Sequence, residues 1–249
     1  MLADPAFFAA AVPAVLAFGI SKGGLGGGAG LLAVPLMALV LSPADAAAIM
    51  LPVLLVMDAM GLWAYRRDAD RAALKVLIPG GLVGIVVGAL VFGVMSDDLV
   101  RLVIGVIAVG FCLWRWLPER PGSGRTPSPA SGLFWGAMGG FTSTLAHAGA
   151  PPVNIYLLAR RPEPAAFVGT MVFLFAAVNL AKVPPYALLG LFTPDNLKAS
   201  LALAPVAVVG MGLGIALLRR LDTRLFYRLI YAVVFLTGLK LIADGLGWG

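Results

Sequence analysis

Cysteine, histidine and charged residues are all scarce in this chain of 249 residues. The single cysteine, Cys112, excludes a disulfide within one chain and any zinc site built from cysteines. Only 12% of the residues are charged, whereas an average soluble domain has roughly 25%. With 61% hydrophobic residues and a mean hydropathy of +0.98, the composition predicts an all-α integral membrane protein with several spans.

Several ligand classes lack the sequence signals that they would need. There is no cluster of metal-ligating residues, so we expect no metal, and no βαβ pattern surrounds the glycines, so we expect no dinucleotide cofactor. The net charge is +6, but the basic residues fall between apolar runs rather than on one face, so we expect no nucleic acid partner. Residues 1–4 lack a positively charged leader, so we expect the N-terminus to be retained.

Ten apolar runs follow one another along the chain, and roughly 20 residues are needed to cross the hydrocarbon core. The first two runs and the sixth and seventh runs are short. We interpret each of these pairs as a re-entrant hairpin, which leaves about six full spans. The runs are 5–20, 29–41, 44–65, 75–95, 99–117, 131–146, 150–159, 164–183, 196–218 and 224–243.

One polar interruption divides the chain near its middle. Residues 118–130 have the Pro, Gly and Arg content of a linker, which we expect to be cytoplasmic. We interpret residues 1–249 as one membrane transport domain made of two repeats, 1–117 and 131–249. The repeat is supported by a shared spacing: Pro79, Gly84 and Gly88 in the first half recur as Pro205, Gly210 and Gly214 in the second.

The basic loops predict the orientation of the chain, because Lys and Arg accumulate in cytoplasmic loops. Both termini then lie outside, and the two halves run in opposite directions, related by a pseudo-two-fold axis in the membrane plane. Both hairpin tips would meet near the midplane, which is the usual place for a transporter site. The loops predicted to be cytoplasmic contain Arg66, Arg67, Arg71, Lys75, Arg115, Arg120, Arg125, Arg160, Arg161, Arg219, Arg220, Arg224 and Arg228.

A lysine within a glycine cluster is the strongest candidate for a binding site. Lys22 is costly at membrane depth unless an anionic group compensates it, and the glycines allow backbone N–H groups to converge beside the helix expected near Ala29. We therefore predict an anion site there. The alternative is that Lys22 marks an ordinary cytoplasmic turn between two spans. The predicted first half of the site consists of Ser21, Lys22, Gly23, Gly24, Gly26, Gly27 and Gly28.

The second hairpin offers donors that could face this lysine. Thr142, Ser143 and Thr144 carry hydroxyls, and His147 is the only histidine of the chain. These groups can donate hydrogen bonds to an oxyanion, and a histidine that titrates near neutrality would let the solute be coupled to protons. A purely structural histidine is the alternative for His147.

Three further polar residues interrupt the apolar runs. Asp58 and Asn179 occur at similar depths in the third and eighth runs, where polar side chains normally face the bundle interior. Asp58 either balances Lys22 in the empty site, carries a proton, or makes a plain interhelical hydrogen bond. Lys182 precedes Pro184 and Pro185 near the predicted end of its helix, so we expect it to extend toward the interface.

Two other kinds of function fit parts of the sequence. Ser21 lies in Gly19-Ile20-Ser21-Lys22-Gly23, a G-x-S-x-G pattern, so an intramembrane serine hydrolase pairing Ser21 with His147 is an alternative. An anion channel or a structural membrane subunit is another. Gly80, Gly81, Gly84 and Gly88 would permit close packing inside the chain or between the subunits of a homodimer.

Two segments resemble a known family. These are the stretch from Gly23-Gly24-Leu25-Gly26 to Val34-Pro35-Leu36, and the stretch from Gly140-Phe141-Thr142-Ser143-Thr144 to Pro151-Pro152. They are similar to the sulfite exporter TauE/SafE family, and the similarity covers nearly the whole chain. This resemblance implies a permease of the bacterial inner membrane that is not an enzyme. The implied solutes are sulfite, sulfoacetate or other sulfonates. An inside-negative membrane potential would favour their export without further coupling, whereas uptake would need protons or another ion.

Overall fold

The computed structural model describes residues 4–24, 32–116, 127–217 and 223–248, without the side chains of residues 115, 217 and 223–230. Within these ranges the chain forms helices joined by short turns and no β-strand, which confirms the all-α prediction. The helices are α1 (Pro5–Gly24), α2 (Ala33–Met37), α3 (Pro43–Ala64), α4 (Arg71–Phe92), α5 (Asp97–Trp116), α6 (Pro129–Ala146), α7 (Ala150–Ala159), α8 (Pro164–Leu188), α9 (Pro194–Leu217) and α10 (Thr223–Gly245).

Proline and serine define where several helices begin. Pro43 and Pro129 open α3 and α6, at positions where a missing N–H costs no helical hydrogen bond. The preceding residues, Ser42 and Ser128, accept hydrogen bonds from backbone N–H groups in the first turn of these helices. These local signals are readable in the sequence, so the predicted starts of the runs agree with the helices to within a few residues.

Five of the described helices are long and apolar enough to cross a membrane: α1, α3, α4, α8 and α9. Helix α1 has 20 residues and continues to Gly24, beyond the predicted run 5–20, whereas α2 has only 5 residues. The apolar pattern ends at Ile20, but the helix continues because Ser21, Lys22 and the two glycines are buried against other helices. Helices α6 and α7 have 18 and 10 residues.

Glycines allow two pairs of helices to pack closely. A Cβ atom added at Gly84 of α4 would lie 1.9 Å from the carbonyl oxygen of Ala137 in α6. A Cβ atom at Gly210 of α9 would lie 2.9 Å from the carbonyl oxygen of Leu16 in α1. Gly80 and Gly88 also face α6. This glycine face is therefore covered within the chain, which resolves the choice between internal packing and a dimer interface for these residues.

The most extensive helix contacts occur in corresponding pairs in the two halves, whereas some smaller contacts, such as that between α2 and α10, have no counterpart. Helix α1 packs against α9 and α6 against α4, while α3 packs against α9 and α8 against α4. Helices α3 and α8 contact each other, as do α5 and α10. When α1 to α5 are matched in order with α6 to α10, the contact of α1 with α9 corresponds to that of α6 with α4. The contact of α3 with α9 corresponds in the same way to that of α8 with α4. The contacts between α3, α8 and their neighbours surround the cavity described next.

Candidate functional site

Helices from both halves enclose a cavity with an apolar wall and four polar side chains. The polar residues are Lys22 of α1, Ser143 of α6, His147 directly after α6, and Asn179 of α8. Lys22 and His147 were predicted to come within reach of each other, and they line the same cavity. The apolar wall consists of Phe18, Leu54, Ala150, Met171, Val172 and Phe175.

Lys22 forms a buried ion pair with Asp58. Its Nζ atom lies 2.6 Å from the Oδ1 atom of Asp58, and both side chains are almost fully buried. The Nδ2 group of Asn179 donates a hydrogen bond of 2.7 Å to the other carboxylate oxygen. Asp58 therefore balances Lys22 and also makes an interhelical hydrogen bond, as two of the three alternatives proposed. Asp58 and Asn179 are each the sixteenth residue of their helix, α3 and α8.

A second buried cluster surrounds Lys182 of α8. The Lys182 Nζ atom donates to the Ser143 hydroxyl at 3.0 Å and to the Ser143 carbonyl at 3.1 Å. It lies 2.6 Å from Nδ1 of His147, whose Nε2 is 2.9 Å from the carbonyl oxygen of Ala47. Because a carbonyl oxygen only accepts, Nε2 of His147 carries the proton and Nδ1 accepts from the lysine.

The prediction for Lys182 was wrong. Its side chain is fully buried instead of extending toward the interface. The sequence suggested an end of the helix at Pro184 and Pro185, but α8 continues through both prolines to Leu188. Lys182 therefore lies inside the packed part of the helix. The sequence does contain one signal for a buried Lys182: a lysine in an apolar run is costly at membrane depth unless it has a partner, as for Lys22.

The hydroxyls predicted as one wall of the site have different roles. Thr142 donates to the carbonyl of Met138 at 2.8 Å, and Thr144 donates to the carbonyl of Gly140 at 2.9 Å. Both hydroxyls thus bond back to their own helix, which is common for threonine inside helices. Of these three residues, Ser143 lines the cavity.

The backbone around Lys22 differs from the predicted glycine loop. Lys22, Gly23 and Gly24 form the last turn of α1, so the ammonium lies at a helix C-terminus, where the partial charge is negative, and not at an N-terminus. Gly23 packs close to α9, and its carbonyl accepts a hydrogen bond from the hydroxyl of Tyr65. The buried ion pair also argues against an ordinary exposed turn. Gly26, Gly27, Gly28 and Ala29 lie outside the described residues.

The geometry gives no support to a serine hydrolase. Gly19 to Gly23 are all helical, whereas the G-x-S-x-G nucleophile requires a sharp turn between a strand and a helix. Both ring nitrogens of His147 already face partners, Lys182 and the Ala47 carbonyl, so neither is directed to accept a proton from Ser21. Ser21 itself is fully buried within α1.

The comparison with protein families decides the broad class. The model of the family described as sulfite exporter TauE/SafE matches residues 11–241, nearly the whole chain. The chain belongs to the TauE/SafE family. No curated protein and no solved structure matches it. The resemblance read from the glycine-rich segments is thus confirmed, and both lysine clusters lie within the matched range. TauE/SafE is a transporter family, in agreement with several apolar helices of spanning length.

Proposed function

We propose that this protein transports a small oxyanion across the bacterial inner membrane and binds it in the cavity between the two halves. One observation carries the proposal: among the described residues, two buried lysines and one buried carboxylate lie at this cavity or directly behind its wall. The lysines are Lys22, which pairs with Asp58, and Lys182, which contacts Ser143 and His147. An anion bound in the cavity would stabilise the charged form of both lysines, because an opposite charge nearby favours the charged form of a buried group.

An inverted repeat with alternating access fits the arrangement of the helices. The most extensive contacts map onto one another when the halves are exchanged, and Asp58 contacts Asn179 from the equivalent position. In this proposal the polar centre lies next to a pseudo-two-fold axis in the membrane plane. Transporters built from such repeats bind their solutes at the interface of the repeats, where interrupted or short helices line the site, and the short helix α7 lines this cavity with Ala150.

Contacts between loops agree with the predicted division of the loops between two sides of the membrane. Arg160, after α7, pairs with Asp70, before α4, so two loops predicted to be cytoplasmic meet. Asp45, at the start of α3, accepts a hydrogen bond from Asn196, at the start of α9, so two segments predicted to be outside also meet. With this orientation and both termini outside, the membrane potential favours anion export by about 2.3 kcal/mol per charge per 100 mV.

The proposed solutes are sulfite, which the family description names, and small sulfonates such as sulfoacetate, which the resemblance implied. His147 is less suited to carry a coupling proton than its sequence position suggested. In this structure its Nδ1 lies 2.6 Å from the Nζ atom of Lys182 and accepts a hydrogen bond from it, so a second proton on the ring would remove this acceptor. Export down the membrane potential requires no proton coupling.

Transport by purified protein in proteoliposomes tests the function. We expect saturable uptake of sulfite or a sulfonate that responds to an imposed potential, and we expect Lys22→Ala to abolish it because Asp58 is then left unpaired in the site. Expression and monodispersity of the variant should be measured in parallel. Non-saturable flux would favour a channel, and no flux of any tested anion would contradict the proposal.

A further inference from the structure

Two tyrosines occupy equivalent positions in the two halves. Each is the twenty-third residue counted from the proline that begins its helix, Tyr65 just after α3 and Tyr186 within α8. The Tyr65 hydroxyl donates to the carbonyl of Gly23, and the Tyr186 hydroxyl donates to the carbonyl of Thr144 at 2.6 Å. Both acceptors lie 42 positions before their tyrosine, so the two hydrogen bonds are equivalent under the proposed repeat.

Each of these hydrogen bonds holds a helix end that carries a cavity residue. Gly23 directly follows Lys22 at the end of α1, and Lys22 lines the cavity. Thr144 directly follows Ser143 near the end of α6, and Ser143 lines the cavity as well. Carbonyl groups in the last turn of a helix lack a partner within the helix, so a tyrosine hydroxyl can satisfy them. The position of each cavity residue therefore depends on a tyrosine from another part of the chain.

Tyr186 lies between the cavity and a second pocket, at helix ends that are predicted to be outside. Phe92, Met95 and Leu191 contribute to the lining of this outer pocket. The Phe92 ring stacks on the Tyr186 ring with centroids 6.4 Å apart, and the His147 ring centroid lies 6.3 Å from that of Tyr186. Because Phe92 lines the outer pocket and His147 lines the cavity, the fully buried Tyr186 ring separates the two spaces.

Tyr65 has the corresponding place on the side predicted to be cytoplasmic. It belongs to an apolar cluster with Val168 and Val172, and Val172 also lines the cavity. The next two residues of the chain, Arg66 and Arg67, are exposed. Tyr65 therefore lies between the cavity wall and the surface that the basic loops assign to the cytoplasm.

We propose that the two hydrogen bonds are paired gates of one site: release of the Tyr186 bond opens the cavity to the outer pocket, and release of the Tyr65 bond opens it to the cytoplasm. This inference rests on the proposed function and deepens it, because alternating access requires that the two sides open separately. Both bonds are made in this structure, which corresponds to an occluded state. Asp97 also lines the outer pocket, and its exposed carboxylate disfavours the return of an anion that has left.

Side-specific labelling of a cavity cysteine in the full-length protein tests the gates. Ala150 lines the cavity, so Ala150→Cys combined with Cys112→Ala is the reporter, and a charged, membrane-impermeant methanethiosulfonate is the probe. Tyr186→Phe keeps the ring and loses the hydroxyl, so labelling from outside should become about fivefold faster, the effect of losing one hydrogen bond. Tyr65→Phe should accelerate labelling from the cytoplasmic side by a similar factor. Each variant is the matched control for the other.

Anion flux in the two tyrosine variants without the reporter gives a second test. A weakened gate raises the population of the state that is open to its own side, so the KM measured from that side should fall and the KM from the other side should rise. The two variants should therefore shift KM in opposite directions, whereas lost packing alone would not reverse the sign. Equal effects on both sides, or no change in labelling and KM, would overturn the inference. Gated labelling without flux of any tested anion in the wild type would instead overturn the proposed function.

Discussion

At the scale of single residues, Asp70 shows how one carboxylate can connect three segments. One oxygen accepts hydrogen bonds from the backbone N–H groups of Ala72 and Ala73 and so caps α4. The other oxygen accepts from the guanidinium of Arg160 at the end of α7. The backbone N–H of Asp70 donates to the hydroxyl of Thr170 in α8. The loop before α4 is therefore held to both α7 and α8.

These contacts predict how stability depends on pH. Partial burial by itself raises the pKa of the Asp70 carboxyl, but the N–H groups of Ala73 and Ala72 and the Arg160 guanidinium outweigh burial and lower the pKa. A carboxyl whose pKa is lower in the folded state stabilises the protein above its unfolded pKa, about 3.9, and loses that contribution as the pH falls through the folded value.

We expect Asp70→Ala to lose about 1–2 kcal/mol of stability at neutral pH, because both the helix cap and the ion pair disappear. Asp70→Asn keeps a capping side chain and should lose less than about 1 kcal/mol. Thermal unfolding in detergent at several pH values measures both effects. Between neutral pH and about pH 3, the melting temperature of Asp70→Asn should fall less than that of wild type. Parallel curves would show that Asp70 does not contribute in this way.

At the scale of helices, the contact between α4 and α6 is the closest packing that glycine provides. A Cβ atom at Gly84 would lie 1.9 Å from the Ala137 oxygen and 2.7 Å from the Phe141 nitrogen. Both neighbours are backbone atoms, which cannot move aside as a flexible side chain can. Ser143 and His147 lie further along the same helix or just after it, so the position of α6 against α4 also positions part of the cavity wall.

We expect Gly84→Ala to separate α4 from α6 and to destabilise the protein by roughly 1–3 kcal/mol or more, the usual cost of overpacking. Gly212→Ala in α9 is the matched control, because nothing lies within 4 Å of a Cβ atom there. Alanine also favours a helix over glycine by up to about 1 kcal/mol, so the control should be neutral or stabilising. Melting temperature and monodispersity distinguish the two variants. Equal behaviour would contradict the close contact.

At the scale of the whole molecule, the proposed inverted repeat places equivalent loops on opposite sides of the membrane. Arg67 follows α3 in the first half, and Asp195 begins α9 after the equivalent helix α8 in the second half. Both residues are exposed. Cys112 is the only native cysteine, and its burial shields it from reagents in water, so a variant with Cys112→Ala gives a background for labelling.

Cysteines introduced one at a time at these two positions test the orientation. A membrane-impermeant maleimide should label Asp195→Cys in intact spheroplasts and should label Arg67→Cys only after permeabilisation, because Lys and Arg mark the cytoplasmic side. The background lacking Cys112 should not be labelled in either condition. Labelling of both positions from the same side would contradict the antiparallel arrangement of the halves.

The sequence alone determined the properties that depend on composition and local order. Hydropathy predicted the membrane class and most of the helices, and the proline and serine signals located the starts of α3 and α6. The glycine-rich segments were sufficient to recognise the family. Lys22, Asp58 and His147 were identified because a charged or titratable side chain is conspicuous in an apolar run, whichever helix it later contacts.

Only the tertiary structure decided which of these polar residues meet. The pairing of Lys22 with Asp58 joins residues 36 positions apart, and the pairing of Lys182 with Ser143 joins residues 39 positions apart. Lys182 seemed peripheral in sequence because prolines often end a helix, but packing against other helices lets α8 continue through them and buries the lysine. Its neighbours Ser143 and His147, and not its position in the chain, place this lysine beside the cavity.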